Sequence, residues 1–205
     1  TCNFCISFTF KIIIIIYYDN YVKRNNTKYV DVKDEVLVGG YNGVYHYQGK
    51  KIVSDFSLNV VNSSAVKLLH DLNVERITLS HELNKNQIDD LINQYYLENN
   101  GYPNLEMIVY GYVHLLNTKY CPLRKLNLCG QCKKNQYYLD DGLGQFRILS
   151  HEDCTTTILN GKRLNLLDDL DKINNVNVFR LQFTVESKEE VKKIINIYRS
   201  KKESF

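Results

Sequence analysis

"ERITLSHELNKNQIDDLINQYYLENNGYPNLEMIVYG", residues 75–111, is the stretch whose reading decides the fold. Its opening, Glu75–Ser80, has the short alternating pattern of a strand. Asn84 followed three positions later by Gln87 has the spacing of a capping box, which opens a helix. Behind that box Ile88, Leu91, Ile92 and Tyr95 fall at i, i+3, i+4 and i+7, one apolar face of a helix. "LEMIVYG" (Leu105–Gly111) then reads as a second strand. Strand, helix and strand at this spacing make a βαβ unit, whose two strands lie parallel.

The same alternation extends in both directions. Upstream, "EVLVGG" (Glu35–Gly40) and "KIVSDF" (Lys51–Phe56) read as strands, and Ala65, Leu68, Leu69 and Leu72 predict a helix between them and Glu75. Downstream, "NVFRLQFTV" (Asn177–Val185) is a strand, and Ser187 with Glu190 forms a second capping box. The helix it opens carries Val191, Ile194, Ile195 and Tyr198 on one stripe. Successive strand starts near 51, 75 and 105 fit βα units in a parallel sheet. No GxGxxG follows the first strand, which removes the commonest dinucleotide-binding signature. Only four or five units are present, fewer than an eight-stranded barrel needs. The expected fold class is therefore α/β: a partial (β/α) TIM-like barrel, incomplete at its N-terminus, with a cysteine-bearing loop and a β-hairpin inserted near its C-terminal end.

Composition is compatible with that reading. With 205 residues, 44% of them hydrophobic, the chain can bury one sizeable core. A net charge of +3 is too small to imply a nucleic-acid partner by itself. The abundance of Asn, Ile, Lys and Tyr reads as a biased codon pool, so runs of Ile or Asn are discounted as signals. "FCISFTFKIIIIIYY" (Phe4–Tyr18) is too short for a membrane span and is interrupted by Lys11. It also lacks the layout of a signal peptide. Its isoleucines, stiff at χ1, read as a buried parallel strand. The expectation is a ragged segment over 1–34, a truncated barrel portion, followed by a barrel-like domain over 35–205 with a cysteine loop at 112–156. The expected location is the cytoplasm, with no membrane partner.

The cysteine loop breaks the alternation. About fifty residues separate Gly111 from the helix expected near Leu164. Within them "QYYL" and "QFRIL" flank "DDGLG", with Asp141-Gly142 as turn residues, which reads as a β-hairpin. Cys132 precedes this hairpin and Cys154 follows it, so antiparallel pairing can return the two thiols to one neighbourhood. Cys129 and Cys132 form a CxxC, and Cys121 lies upstream within reach. Cys121, Cys129, Cys132 and Cys154 together are a ligand set for zinc or for a [4Fe–4S] cluster, and spacing alone leaves both open. Arg124, Lys125, Lys133 and Lys134 favour thiolate over thiol. Disulfides would need an oxidising compartment. Cys2 and Cys5 form a further CxxC, which alone carries little weight.

Other chemistry is sparse. There is no HExxH and no GxSxG. In a barrel the chemistry collects at the C-terminal ends of strands. Asp55, Asn59, Asn62, Glu82, Asn84 and Tyr110 would point toward that end. Glu82, next to His81, is the candidate general base, with Asp55 and Tyr110 as further catalytic candidates. The asparagines read equally well as caps or turn residues. His114 reads as a structural histidine or as a fourth metal ligand. Tyr120, Tyr137 and Tyr138 among lysines and arginines would suit stacking and phosphate contact with RNA.

Several segments, in order, resemble one family: "DFSLNVVNSSAV" (Asp55–Val66), "ITLSHELN" (Ile77–Asn84), "EMIVYG" (Glu106–Gly111), the cysteine loop, "YYLDDGLGQF", "ILNGKRLNLLDDL" (Ile158–Leu170) and "VFRLQFTVES" (Val178–Ser187). Together, over roughly residues 35–200, they look like the collagenase-like peptidase family, the thirty-second of unknown catalytic type. Its signature is similar to Glu-x-x-x-His-Gly-Ala-x-Cys with a second Cys seven positions on. Glu106, Gly111 and Cys121 match it, whereas Tyr110 stands at the His position and His114 at the first Cys. The resemblance implies one of two activities. One is proteolysis of a peptide substrate. The other is iron–sulfur-dependent, oxygen-independent hydroxylation of an RNA pyrimidine or a small aromatic. The four-cysteine set is easier to reconcile with the second, which moves the expectation from zinc to [4Fe–4S]. A zinc-stabilised binding module without catalysis is the remaining alternative.

Overall fold

The structure is a computed structural model that describes residues 5–8, 12–14, 16–17, 31, 35–151 and 154–203. The chain divides into two compact units, one comprising Thr1–Tyr110 with Leu166–Phe205 and the other Gly111–Asn165. In chain order the strands are β1 (Cys5–Phe8), β2 (Ile12–Ile14), β3 (Ile16–Tyr17), β4 (Glu35–Val38), β5 (Lys51–Ser54), β6 (Val74–Thr78), β7 (Leu105–Thr118), β8 (Tyr137–Asp140), β9 (Gln145–Ser150), β10 (Thr156–Asn165) and β11 (Val178–Gln182). The helices are α1 (Tyr41–His46), α2 (Ser63–Asp71), α3 (Lys85–Asn99), α4 (Pro122–Lys125) and α5 (Lys188–Glu203).

In the first unit the strands run in the order β2-β1-β11-β7-β6-β5-β4-β3. From β3 through β7 to β11 every neighbour is parallel and spatial order follows chain order. A doubly wound sheet reverses its strand order at a switch point, and this sheet does not. Sequential parallel order makes the fold a mixed α/β sheet compatible with part of a (β/α) barrel. The isoleucine run differs from expectation. Ile12–Ile14 pairs antiparallel with β1, which is itself antiparallel to β11, and only Ile16–Tyr17 joins β4 in parallel. An all-apolar run carries no signal of strand direction, so the sequence could not distinguish these cases. The rest of the expectation for 1–34, and Cys2, lies outside the described residues.

The helices cover one face of this sheet. Asn84 and Gln87 form the reciprocal capping box, and Ile88, Leu91, Ile92 and Tyr95 are the buried residues of α3. Ser187 and Glu190 exchange the same pair of hydrogen bonds at the start of α5. The buried face of α2 is centred on Ser63, Val66 and Leu69. Ala65 and Leu72 pack partly buried against the same core, so that of the expected stripe only Leu68 faces solvent. Val36, Val38, Ile52, Val66, Leu69, Ile77, Leu79, Ile88 and Leu105 belong to one core cluster on this side. A second cluster holds Val109, Tyr110, Leu181, Phe183 and Tyr198.

In the second unit β8 and β9 form the expected hairpin, with Tyr137 opposite Ile148 and Asp140 opposite Gln145. Asp141 Oδ1 accepts from the backbone N–H groups of Leu143 and Gly144, which closes the turn. β9 also pairs with β10, and β10 with β7. No helix forms near Leu164, which lies within β10 instead, and the strand beginning at Leu105 runs on to Thr118. The expected break at Gly111 fails because glycine here, at φ +135°, is accommodated within the strand.

Candidate functional site

The first unit holds a buried charge network on the sheet face opposite the helices. Arg180 lies at its centre and is fully buried. Its Nη1 donates to Asp55 Oδ1 at 2.7 Å, its Nη2 to Thr78 Oγ1 at 2.7 Å, and its Nε to Glu106. Thr78 Oγ1 donates to Glu106 Oε1 at 3.1 Å. Arg76 Nε donates to Glu106 Oε2 at 2.8 Å, and its Nη2 to Glu35 Oε2 at 3.0 Å. Three carboxylates therefore share two guanidiniums in a site from which water is largely excluded. Burial pushes the Asp55 carboxyl above the usual carboxylate range, against the lowering effect of Arg180.

This network contains Asp55 and the family-matched Glu106, but its two arginines and Thr78 were not singled out from the sequence. A signal was available. Strands of a parallel sheet usually read as continuous apolar runs. "ERITLS" and "VFRLQF" break that rule at alternate positions, with Arg76, Thr78 and Ser80 in one and Arg180 and Gln182 in the other. Polar residues at period two, within strands packed on both sides, mark a shared buried polar face.

The other catalytic candidates go elsewhere. Tyr110 is buried, with ring centroids 5.5 Å from Phe183 and 6.1 Å from Tyr198. A register shift aligns Arg180 with Ile108 but Leu181 with Tyr110, so β7 carries one extra residue there. That bulge turns Tyr110 into the helix-side cluster, away from the face of Glu106. Glu82 is exposed, and its backbone N–H donates to Ser80 Oγ. Neighbouring His81 lies against Phe56, ring centroids 4.8 Å apart. Asn62 and Asn84 cap α2 and α3. Asn59 adopts positive φ and accepts from Ser80 Oγ at 2.6 Å. The three asparagines thus serve local structure.

All four loop cysteines fall in the second unit, and none forms a disulfide. Cys121 and Cys132 are half-buried, while Cys129 and Cys154 are exposed. Tyr137 opposite Ile148 puts the entry and exit of the hairpin side by side, with Cys132 before the entry and Cys154 beyond the exit. Cys154 sits at φ +63° in the turn from β9 to β10, its N–H donating to His151 O. In donor type these thiols suit zinc or an iron–sulfur cluster. In spacing they do not yet form a cage. Among the described residues no group of three or more His, Cys, Asp or Glu is close enough to hold a metal ion. His114 lies nearby in sequence on β7; burial, and then the charge of His151, push its pKa down to about 4. His151 Nε2 meets Thr157 Oγ1 at 2.8 Å, and Thr157 donates to Asn117 at 2.5 Å.

Charge is divided unevenly between the units. Residues 111–165 contain eight Lys or Arg against four Asp or Glu, a net +4 where the whole chain has +3. Tyr120 and Tyr138 are exposed on the same unit, and Arg163 stacks 5.1 Å from the Tyr112 ring centre.

A sequential parallel βα sheet with helices on one face defines a mixed α/β protein compatible with part of a barrel. The chain belongs to peptidase family U32, whose model matches residues 27–205. No curated protein and no solved structure matches it. Among the described residues no helix is long and apolar enough to cross a membrane.

Proposed function

We propose that this protein is an iron–sulfur member of its family, acting on RNA. In this reading Cys121, Cys129, Cys132 and Cys154 would hold a [4Fe–4S] cluster, which would supply electron transfer for oxygen-independent hydroxylation of a pyrimidine, with a hydroxylated organic co-substrate giving up its OH and taking the displaced hydrogen, so that it is reduced as the pyrimidine is oxidised. The observation that carries the proposal is the second unit itself. Four free thiols and a net charge of +4 share one segment of 55 residues, 111–165. Free thiols persist in a reducing compartment, which supports a cytoplasmic location. The basic residues and exposed tyrosines suit a single-stranded RNA better than a small aromatic, which needs no phosphate contact.

Anaerobic purification followed by iron and sulfide analysis tests the reading. A thiolate-bound cluster brings iron and acid-labile sulfide in similar amounts, and Cys129→Ser or Cys154→Ser removes both. Zinc without sulfide would replace this proposal with a zinc-stabilised module. Gelatin digestion by protein lacking both metals would replace it with a peptidase.

A further inference from the structure

The helix layer of the first unit has a gap. β5 and β6 are followed by α2 and α3, but β7 leads into the second unit, and the chain returns with only a short 3-10 helix, Leu167–Lys172, before β11. The consequence is visible on β7, which is flanked by strands on both sides. Leu105 and Val109 are fully buried on its helix side, yet Met107 between them is only half-buried. Over Met107 lies a cavity of about 230 Å³, walled by Leu83, Ile88, Met107, Leu166 and Ile173. Its mouth carries two ion pairs, Lys85–Asp89 at 2.5 Å and Lys172–Asp169 at 2.7 Å.

We infer that this cavity is a binding site for one small uncharged apolar ring. Size and lining argue for that occupant. An apolar cavity of about 150 Å³ lined by Leu, Ile and Phe stays dry and takes up benzene. The present cavity is larger, which admits a fused bicyclic ring of indole size. The walls offer dispersion contacts and no buried charge, so a charged or heavily hydroxylated ligand would lose hydration without compensation. The paired charges at the mouth are already neutralised by one another and favour an uncharged guest. Methionine, flexible and polarisable, suits a wall that must adapt to a ring face. The site lies on the opposite side of the sheet from Glu106 and Arg180, and it does not depend on the iron–sulfur reading.

Met107 is the only methionine in the chain, so its methyl group is a single reporter. Protein labelled with ¹³C at the methionine methyl, with Met107→Leu used to assign the signal, is titrated with indole. A saturable shift of the Met107 methyl signal, together with a rise in Tm, is expected, and inositol leaves the signal unmoved. Ile173→Trp, which fills the cavity from its half-buried rim, abolishes the shift. A Met107 signal that stays still, or that drifts linearly without saturating, overturns the site whether or not the filled variant folds.

Discussion

Asp55 is a residue on which burial and a neighbouring charge pull in opposite directions. At a strand end it reads as a catalytic carboxylate. In the fold it is sealed from water and held by Arg180. Two effects oppose each other there: burial favours the neutral acid, while the guanidinium favours the anion, and burial is the larger. With the folded pKa above the unfolded value of 3.8, the native state keeps its proton at pH values where the unfolded chain has lost it. Asp55 therefore contributes stability that is full below pH 3.8 and is lost as pH rises through the folded value. Urea unfolding as a function of pH, comparing the wild type with Asp55→Asn, reads this directly. The wild type is expected to lose stability relative to the variant as pH rises across that window. A gain instead would mean that Arg180 outweighs burial.

At the scale of elements, the helices were legible because their signals are local. The α3 box and stripe lie within twelve residues, and no distant contact is needed to see them. Asn84→Ala removes the side chain that accepts from Gln87 N–H, and the expected cost is about 1 kcal/mol in chemical denaturation. Gln87→Ala, which loses only the return bond to Asn84 N–H, should cost less. The asparagines discounted as codon bias also have local work. Asn59, Asn73, Asn100, Asn127 and Asn175 all take positive φ, where asparagine is among the few side chains tolerated. Strand direction and strand length were not local in this sense. The bulge that turns Tyr110 toward Phe183 exists only because β11 lies beside β7.

For the whole molecule, the division of charge makes a quantitative prediction. If the second unit binds RNA, affinity of the full chain for a single-stranded oligonucleotide should fall steeply with salt. Each phosphate contact contributes a slope of about −0.7 in log K against log salt. Removing Lys133 and Lys134 together should make that slope shallower by about 1.4 if both touch phosphate. A slope unchanged by the double substitution would remove these lysines from the interface. Affinity insensitive to salt would leave RNA without its electrostatic basis.

What the residues determined unaided was whatever depends on near neighbours in the chain: the βα alternation, both capping boxes, the β8–β9 turn and the presence of four thiols in one segment. These follow from backbone hydrogen bonding and side-chain periodicity over a dozen positions or fewer. Only the tertiary structure decided that Leu68 of α2 faces solvent, that Ile12–Ile14 runs antiparallel, and that Asp55, Glu106, Arg76 and Arg180 meet. Asp55 and Arg180 are 125 positions apart, and nothing within either segment specifies the other. Their pairing is imposed by sheet order, because a charge carried into that interior is tolerated only where the neighbouring strands supply its partner.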